Sequence, residues 1–288
     1  IPTFLVARAA REAVTVALSG DAGDELFGGY QTYCASLLAN RLRYLPGALR
    51  KGLLDAVKYI PASNSHAGLE YKLRKFLSGC HLAPVQRHAM WRTIFATAER
   101  RALYNDEFMD LASDILETPL FNDWDVLFAL VGDDSLKGYQ KLDMKTYLTD
   151  NNLKKVDHMS MASSLEVRVP LLDLGVVQAA MRVPQKQLVN GLRTKTILRR
   201  MMKERLPRSV LKMRKKGFTI PLATWFQGAL KDYVNEVLTY DRIESLGILR
   251  PTAVRSIVDT HLSGIRNNSR QIWNLIAFIH WHEQQAGN

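Results

Sequence analysis

Residues 14–30 read V-T-V-A-L-S-G-D-A-G-D-E-L-F-G-G-Y and place three carboxylates, Asp21, Asp24 and Glu25, among Gly20 and Gly23. Carboxylates packed this closely repel one another, so a cationic partner is expected nearby. The apolar, mostly β-branched run before them predicts a strand buried on both faces that stops at Ser19-Gly20. Open parallel sheets bind ligands beyond the carboxyl ends of their strands, where glycines let a ligand approach the backbone. A hard cation such as Mg²⁺ takes one or two carboxylates together with phosphate oxygens and water, which makes Asp21 and Asp24 candidate metal ligands beside a nucleotide. The same residues also fit a plain turn in which Asp and Gly satisfy local backbone groups.

Two further stretches carry charge in unusual settings. Between Tyr139 and Asp173, Asp157, Glu166 and Arg168 stand close to the small residues Ser160, Ala162, Ser163 and Ser164. Small residues let a ligand come close; equally, Arg168 could pair with Glu166 or Asp157 in a structural network. From Lys212 to Phe226 the chain reads K-M-R-K-K-G-F-T-I-P-L-A-T-W-F, with cations massed just before Gly217. That density beside a glycine suits a polyphosphate, or a solvated basic loop. Lys195 falls near a helix start, where a cation is unfavourable unless an anion lies nearby, and it reads as a surface lysine.

These three stretches resemble, in order, conserved segments of the synthetase domain of glutamine-dependent asparagine synthetases, a family of ATP pyrophosphatases. S-G-D-A-G-D-E-L-F-G-G-Y is similar to the family's S-G-(D/E)-G-(G/S)-D-E-x-F-G-G-Y, with Ala22 where Gly is common. If that backbone needs a positive φ, Ala22 is mildly strained. K-V-D-H-M-S-M-A-S-S-L-E-V-R-V-P-L-L-D is similar to K-V-D-R-x-S-M-A-x-S-L-E-x-R-x-P-x-L-D, with His158 in place of Arg. R-K-K-G-F-T-I-P-L-A-T-W-F is similar to R-K-K-x-G-F-x-x-P-x-x-x-W-(F/L) and puts Lys215 at the family's catalytic lysine, with Lys216 as the reserve if the register slips by one.

The resemblance implies an amide-forming reaction that uses ATP and Mg²⁺. A carboxylate, aspartate in the namesake enzyme, attacks the α-phosphate, pyrophosphate leaves, and glutamine-derived ammonia displaces AMP from the acyl-adenylate. It implies Asp21, Lys215, Arg168 and Glu166 at the catalytic centre, Ser19, Gly20, Asp24 and Asp157 around the nucleotide, and Asp21 and Asp24 on the metal. The implied fold is α/β but mostly helical: residues 1–33 as the remnant of a parallel-sheet, adenine nucleotide alpha-hydrolase-like core, and 34–288 as a large helical part. The family's S-G-G-x-D-S pyrophosphate loop and its glutaminase domain are absent from this sequence, so the expectation is a C-terminal portion of a longer protein, inactive on its own. The glutaminase domain is then the expected partner, and a homodimer is compatible. A relative that amidates or cyclises another carboxylate (a β-lactam precursor, a peptide, a glycan) and an inactive basic helical scaffold or nucleic-acid binder are the alternatives.

The elements that must position these residues are mainly helices. A short helix is expected over 4–13, then the strand. Apolar residues recur at three and four positions through Leu37, Leu38, Leu42, Leu45 and Leu49, Leu53, Leu54, Val57. Further helices are expected at 69–77, 85–96, 98–103, 106–116, through Leu198–Leu206 up to Pro207, and at 225–238, 251–263 and 269–285. His66, His81 and His88 have no metal-ligand spacing and read as ordinary residues. The chain of 288 residues is 47% hydrophobic, with a net charge of +11 spread over helical faces rather than massed in a tail, so nucleic acid is not an expected partner. No run of about 18 apolar residues exists, so no membrane span is expected. The two cysteines, Cys34 and Cys80, fit a reduced, cytoplasmic chain.

Overall fold

The structure, a computed structural model, describes residues 1–42, 46–57, 69–80, 82–112, 135–213 and 220–286. The expected exposed loop at 62–68, the end of the 106–116 helix, His66, His81, and Lys215 with Lys216 lie outside the described residues. What is described is mainly helical, with one two-stranded parallel sheet among the described residues. No described helix is long and apolar enough to cross a membrane. Two compact units divide the chain: Ile1–Tyr44, Leu82–His88 and Asp123–Thr219 form one, and Leu45–His81, Ala89–Asn122 and Ile220–Asn288 the other.

In the first unit, helix α1 (Pro2–Arg11) starts on a proline, whose missing N–H costs nothing at that position. The chain then turns into strand β1 (Val16–Leu18), which pairs in parallel with β2 (Glu166–Arg168) in the register Val16↔Glu166, Ala17↔Val167, Leu18↔Arg168. The long connection between them, largely helical over its described residues, is what a parallel pair requires. Burial on both faces of β1 is not found: Val16 is 39% and Leu18 74% exposed. A pair of short strands covers one edge of each strand and leaves the side chains that alternate off the ladder open to solvent. The second strand comes from beyond residue 33, in the part expected to be mainly helical.

The unit's apolar core lies behind the loop that leaves β1. Leu26 of the one-turn helix α2 (Gly23–Leu26), Tyr33 and Cys34 of α3 (Gln31–Leu42), Leu136 and Tyr139 of the Leu136–Asp143 helix, Leu148, Leu188 and Val189 pack together. Burying each large side chain contributes roughly 1.5–3 kcal/mol. The Leu136–Asp143 helix runs on into a π-helix over Met144–Leu153, a rare winding that concentrates at functional sites. Several polar groups buried here are partnered. His88 Nε2 lies 2.8 Å from Asp143 Oδ1, and Arg87 donates to Asn40 Oδ1 and Tyr139 Oη at 2.7 Å each. His88 is thus a core histidine. Cys34 and Cys80 are buried and form no disulfide among the described residues, and burial pushes the Cys34 thiol pKa up.

The second unit has its own core of Phe226, Val234, Val237, Leu238, Ile243, Val254 and Val258 with the last helix, Ser269–Ala286. Ile272, Leu275, Ile276 and Ile279 form its i, i+3, i+4, i+7 stripe and are buried. Trp273 is 37% exposed because it stands one residue off that stripe. The single helix expected over 225–238 is two, Leu222–Gln227 and Lys231–Val237, separated at Gly228, whose φ −125° and ψ −109° leave the helical region. The Pro251–Leu262 helix begins on its proline as expected, and Gly264, at φ +76°, follows its end. In the first unit, the helix expected to reach Pro207 is only Thr196–Met201. Its Arg199 side chain instead ties the carbonyls of Thr194 and Leu211.

Candidate active site

Ser19 takes up the chain where β1 ends. Its N–H donates to the Arg168 carbonyl at 2.9 Å, carrying the ladder one residue beyond Leu18. Its hydroxyl donates to Asp21 Oδ2 at 2.6 Å and accepts from the Asp21 N–H at 3.3 Å, so the Asp21 carboxylate is folded back onto the strand end. Between them, a Cβ on Gly20 would meet nothing within 4 Å, which leaves this side of the loop open. Ala22 is buried at φ 63°, ψ −10°, a left-handed backbone that a residue with a Cβ adopts at a cost of order 1 kcal/mol. The strain expected from an alanine in a glycine position is present. That turn lets α2 begin at once, with Asp24 in its first turn.

The three carboxylates divide among different partners. Glu25 is 1% exposed, and its Oε1 accepts from Tyr30 Oη at 2.6 Å and from Asn152 Nδ2 of the π-helix at 2.9 Å. Gln140 Nε2 donates to the Glu25 and Leu26 carbonyls, fastening the backbone of the same turn. Glu25 is therefore an internal anchor that holds the loop to the core. Asp24 has the cation that crowding of the carboxylates requires: Lys195 Nζ lies 2.8 Å from its Oδ1. The reading of Lys195 as a surface lysine is corrected by that contact. Its place at the head of the Thr196–Met201 helix is unfavourable for a cation unless an anion lies nearby, and Asp24 is that anion. Gly29 makes room, since a Cβ there would fall 1.8 Å from Asp24 Oδ1 and 2.4 Å from Lys195 Cε.

Glu166 and Arg168 sit two apart on β2, on one face, and Arg168 Nε donates to Glu166 Oε1 at 2.7 Å. The pair is more than half exposed on both sides, so it contributes well under about 1 kcal/mol to stability. Of the two partners open to Arg168, it takes Glu166. Asp157 is exposed on the Lys154–Met161 helix, where its carbonyl accepts from Ser160 Oγ. The structure thus brings Ser19, Gly20, Asp21 and the Arg168 backbone to one strand end and joins Glu166 to Arg168. It does not bond Asp157 to any of them.

Among the described residues no group of three or more His, Cys, Asp or Glu side chains could enclose a metal ion. A magnesium ion shared with phosphate needs no such cage, only one or two hard carboxylate oxygens. Asp24 offers two such oxygens, one of which, Oδ1, already faces the Lys195 ammonium at 2.8 Å. Lys195, Asn152 and Gln140 are the residues that sequence reasoning missed. For Lys195 the signal existed in two halves: an unbalanced acidic loop, and a cation at a helix start.

The family model for asparagine synthase matches residues 1–283. A glutamine-hydrolysing asparagine synthetase of Bacillus subtilis is 29% identical over 289 residues, covering 98% of this chain and 42% of the relative. A Mycobacterium bovis protein assigned to the same glutamine-hydrolysing synthetases is 31% identical over 283 residues, covering 98% of this chain and 41% of its own length. The chain therefore spans about two fifths of the length of these relatives. The match runs through the acidic loop, the Glu166–Arg168 strand and the basic segment alike, and the chain belongs to the asparagine synthase family.

Proposed function

We propose that this chain is the ATP-using part of a glutamine-dependent ligase that makes an amide from a carboxylate, with aspartate as the substrate and asparagine as the product. The observation that carries the reading is the acidic loop at the carboxyl end of β1: Ser19 and Asp21 turned toward the strand end, Gly20 open beside them, and Asp24 already holding a cation. In this reading the sheet is the remnant of an ATP pyrophosphatase core. The glutaminase site and the S-G-G-x-D-S loop belong to another part of a longer protein, which supplies ammonia to this one, and the protein works in the cytoplasm.

The substrate carboxylate oxygen bonds to the α-phosphorus of ATP, the bond from that phosphorus to the bridging oxygen breaks, and pyrophosphate departs. Ammonia then adds to the acyl carbon, loses a proton, and AMP leaves with the electron pair of the acyl–oxygen bond. Asp21 and Asp24 would hold Mg²⁺, which would supply neutralisation of phosphate charge. Ser19 and Gly20 lie against the nucleotide by their backbone, and Asp21 sits at the centre of adenylation. Glu166 and Arg168 shape the acyl side, Asp157 borders the nucleotide, and Lys215 balances charge at the α-phosphate and on the departing pyrophosphate. Such chemistry depends mostly on positioning and charge neutralisation.

The test is pyrophosphate release by the full-length parent with MgATP, ammonia and aspartate, beside a Lys215→Ala variant. Aspartate-dependent release that is lost in the variant supports the reading. Release that is independent of aspartate, or unchanged in the variant, refutes the substrate or the lysine's role respectively.

A further inference from the structure

Lys195 is held over the acidic loop by a backbone that residues with side chains seldom adopt. Its φ of 53° and ψ of 37° are left-handed, and the turn before it is fixed by Gly191 at φ 59° and by reciprocal backbone hydrogen bonds of 3.0 Å between Asn190 and Arg193. The Arg199 side chain ties the Thr194 carbonyl from the other side. This costs conformational energy, and unpopulated backbone regions concentrate where position matters. The result is an ammonium 2.8 Å from Asp24 Oδ1, lodged in a space kept open by Gly29, where a Cβ would collide with both partners.

Asp24 and Glu25 are adjacent but are neutralised in different ways. Glu25 is buried and bonded by the neutral donors Tyr30 and Asn152, an arrangement with no route for exchange. The Asp24 and Lys195 side chains are 24% and 30% exposed, although Asp24 Oδ1 itself is buried beneath the ammonium, and the lysine is a point charge on a flexible stem that can withdraw. We propose that Lys195 is a placeholder cation, a positioning residue that fixes the Asp24 carboxylate while no metal is present and yields it to Mg²⁺. The proposal rests on the reading of Asp24 as a magnesium ligand.

The test compares the full chain with Lys195→Met, which keeps the stem, Lys195→Asn, which tolerates the left-handed backbone, and Asp24→Asn. Mn²⁺ binding is followed by the electron paramagnetic resonance of the free ion, and thermal unfolding is followed with and without Mg²⁺. Both lysine variants are expected to melt lower than wild type without metal, to bind Mn²⁺ more tightly by on the order of fivefold, and to gain more from Mg²⁺ than wild type does. Asp24→Asn is expected to lose the metal response. Equal Mn²⁺ affinity in wild type and both lysine variants, with Asp24→Asn weakened, overturns the placeholder role and leaves Asp24 a metal ligand. Equal affinity in wild type and Asp24→Asn overturns the metal reading itself.

Discussion

Replacing Gly29 by alanine should open the Asp24–Lys195 pair without touching either residue. Gly29 is not at a positive φ, so alanine fits its backbone, and the lost freedom of the unfolded chain favours the variant by about 0.4–1 kcal/mol. Against this, the new Cβ would lie 1.8 Å from Asp24 Oδ1 and 2.7 Å from its Cγ. Ordinary contact needs about 3.4 Å, so the carboxylate must move by roughly 1.6 Å, further than an ion pair at 2.8 Å can follow. The gross attraction at an effective dielectric near 20 is about 6 kcal/mol, most of it offset by desolvation and side-chain ordering. A partly exposed pair is left with about 1–2 kcal/mol. The net expectation is a loss of about 1 kcal/mol in urea unfolding, read as a lower midpoint at unchanged m. The decisive assay is a double-mutant cycle with Lys195→Met: once the lysine head is gone, Gly29→Ala should cost less by about 1 kcal/mol. Equal cost in both backgrounds would refute the claim that this glycine acts through the ion pair.

The remaining expectations concern the anchors and the titrating groups. Glu25→Ala leaves Tyr30 Oη and Asn152 Nδ2 facing a buried void and should destabilise by about 2–4 kcal/mol in denaturant unfolding, whereas Glu166→Ala on the exposed pair should cost under about 0.5 kcal/mol; similar costs would contradict the division into anchor and surface pair. His261 is fully buried, and burial lowers its pKa below the usual imidazole value. The unfolded chain therefore takes up the proton first, and stability should fall as pH drops below about 6.5 through the depressed folded value. The His261→Gln variant should show a shallower loss between pH 7 and 5, and parallel pH profiles would count against it. Burial brings the Lys137 pKa down to about 8 while its Nζ donates to the Ala180 carbonyl at 2.9 Å. Since the unfolded chain holds that proton up to about pH 10.4, stability should rise with pH between about 8 and 10.4. An NMR titration of reductively ¹³C-methylated lysines should show one signal with a midpoint near 8, and all midpoints above 10 would refute the burial effect.

What was legible in the sequence was local. The run into Ser19-Gly20, the strain at Ala22, the proline that starts the Pro251–Leu262 helix and the glycine after it each follow from residues within a few positions of one another. What was not legible depends on partners brought from afar. Glu166-Val167-Arg168 has one apolar residue and does not read as a strand; it is one because β1 offers its edge. The burial of Glu25 could not be read, since a carboxylate enters a core only when donors meet it there, and Asn152 arrives on a π-helix that no spacing rule predicts. The acidic loop did announce that it needed a cation, but not which one. A distant lysine meets Asp24 only because Lys195 accepts a left-handed backbone and Gly29 has no side chain. Of the three carboxylates, Asp21 is held by a neighbouring hydroxyl and Glu25 by buried neutral donors. Asp24 alone rests on a charge that solvent can reach, and so among these three it is the one whose partner can be exchanged without unfolding the loop.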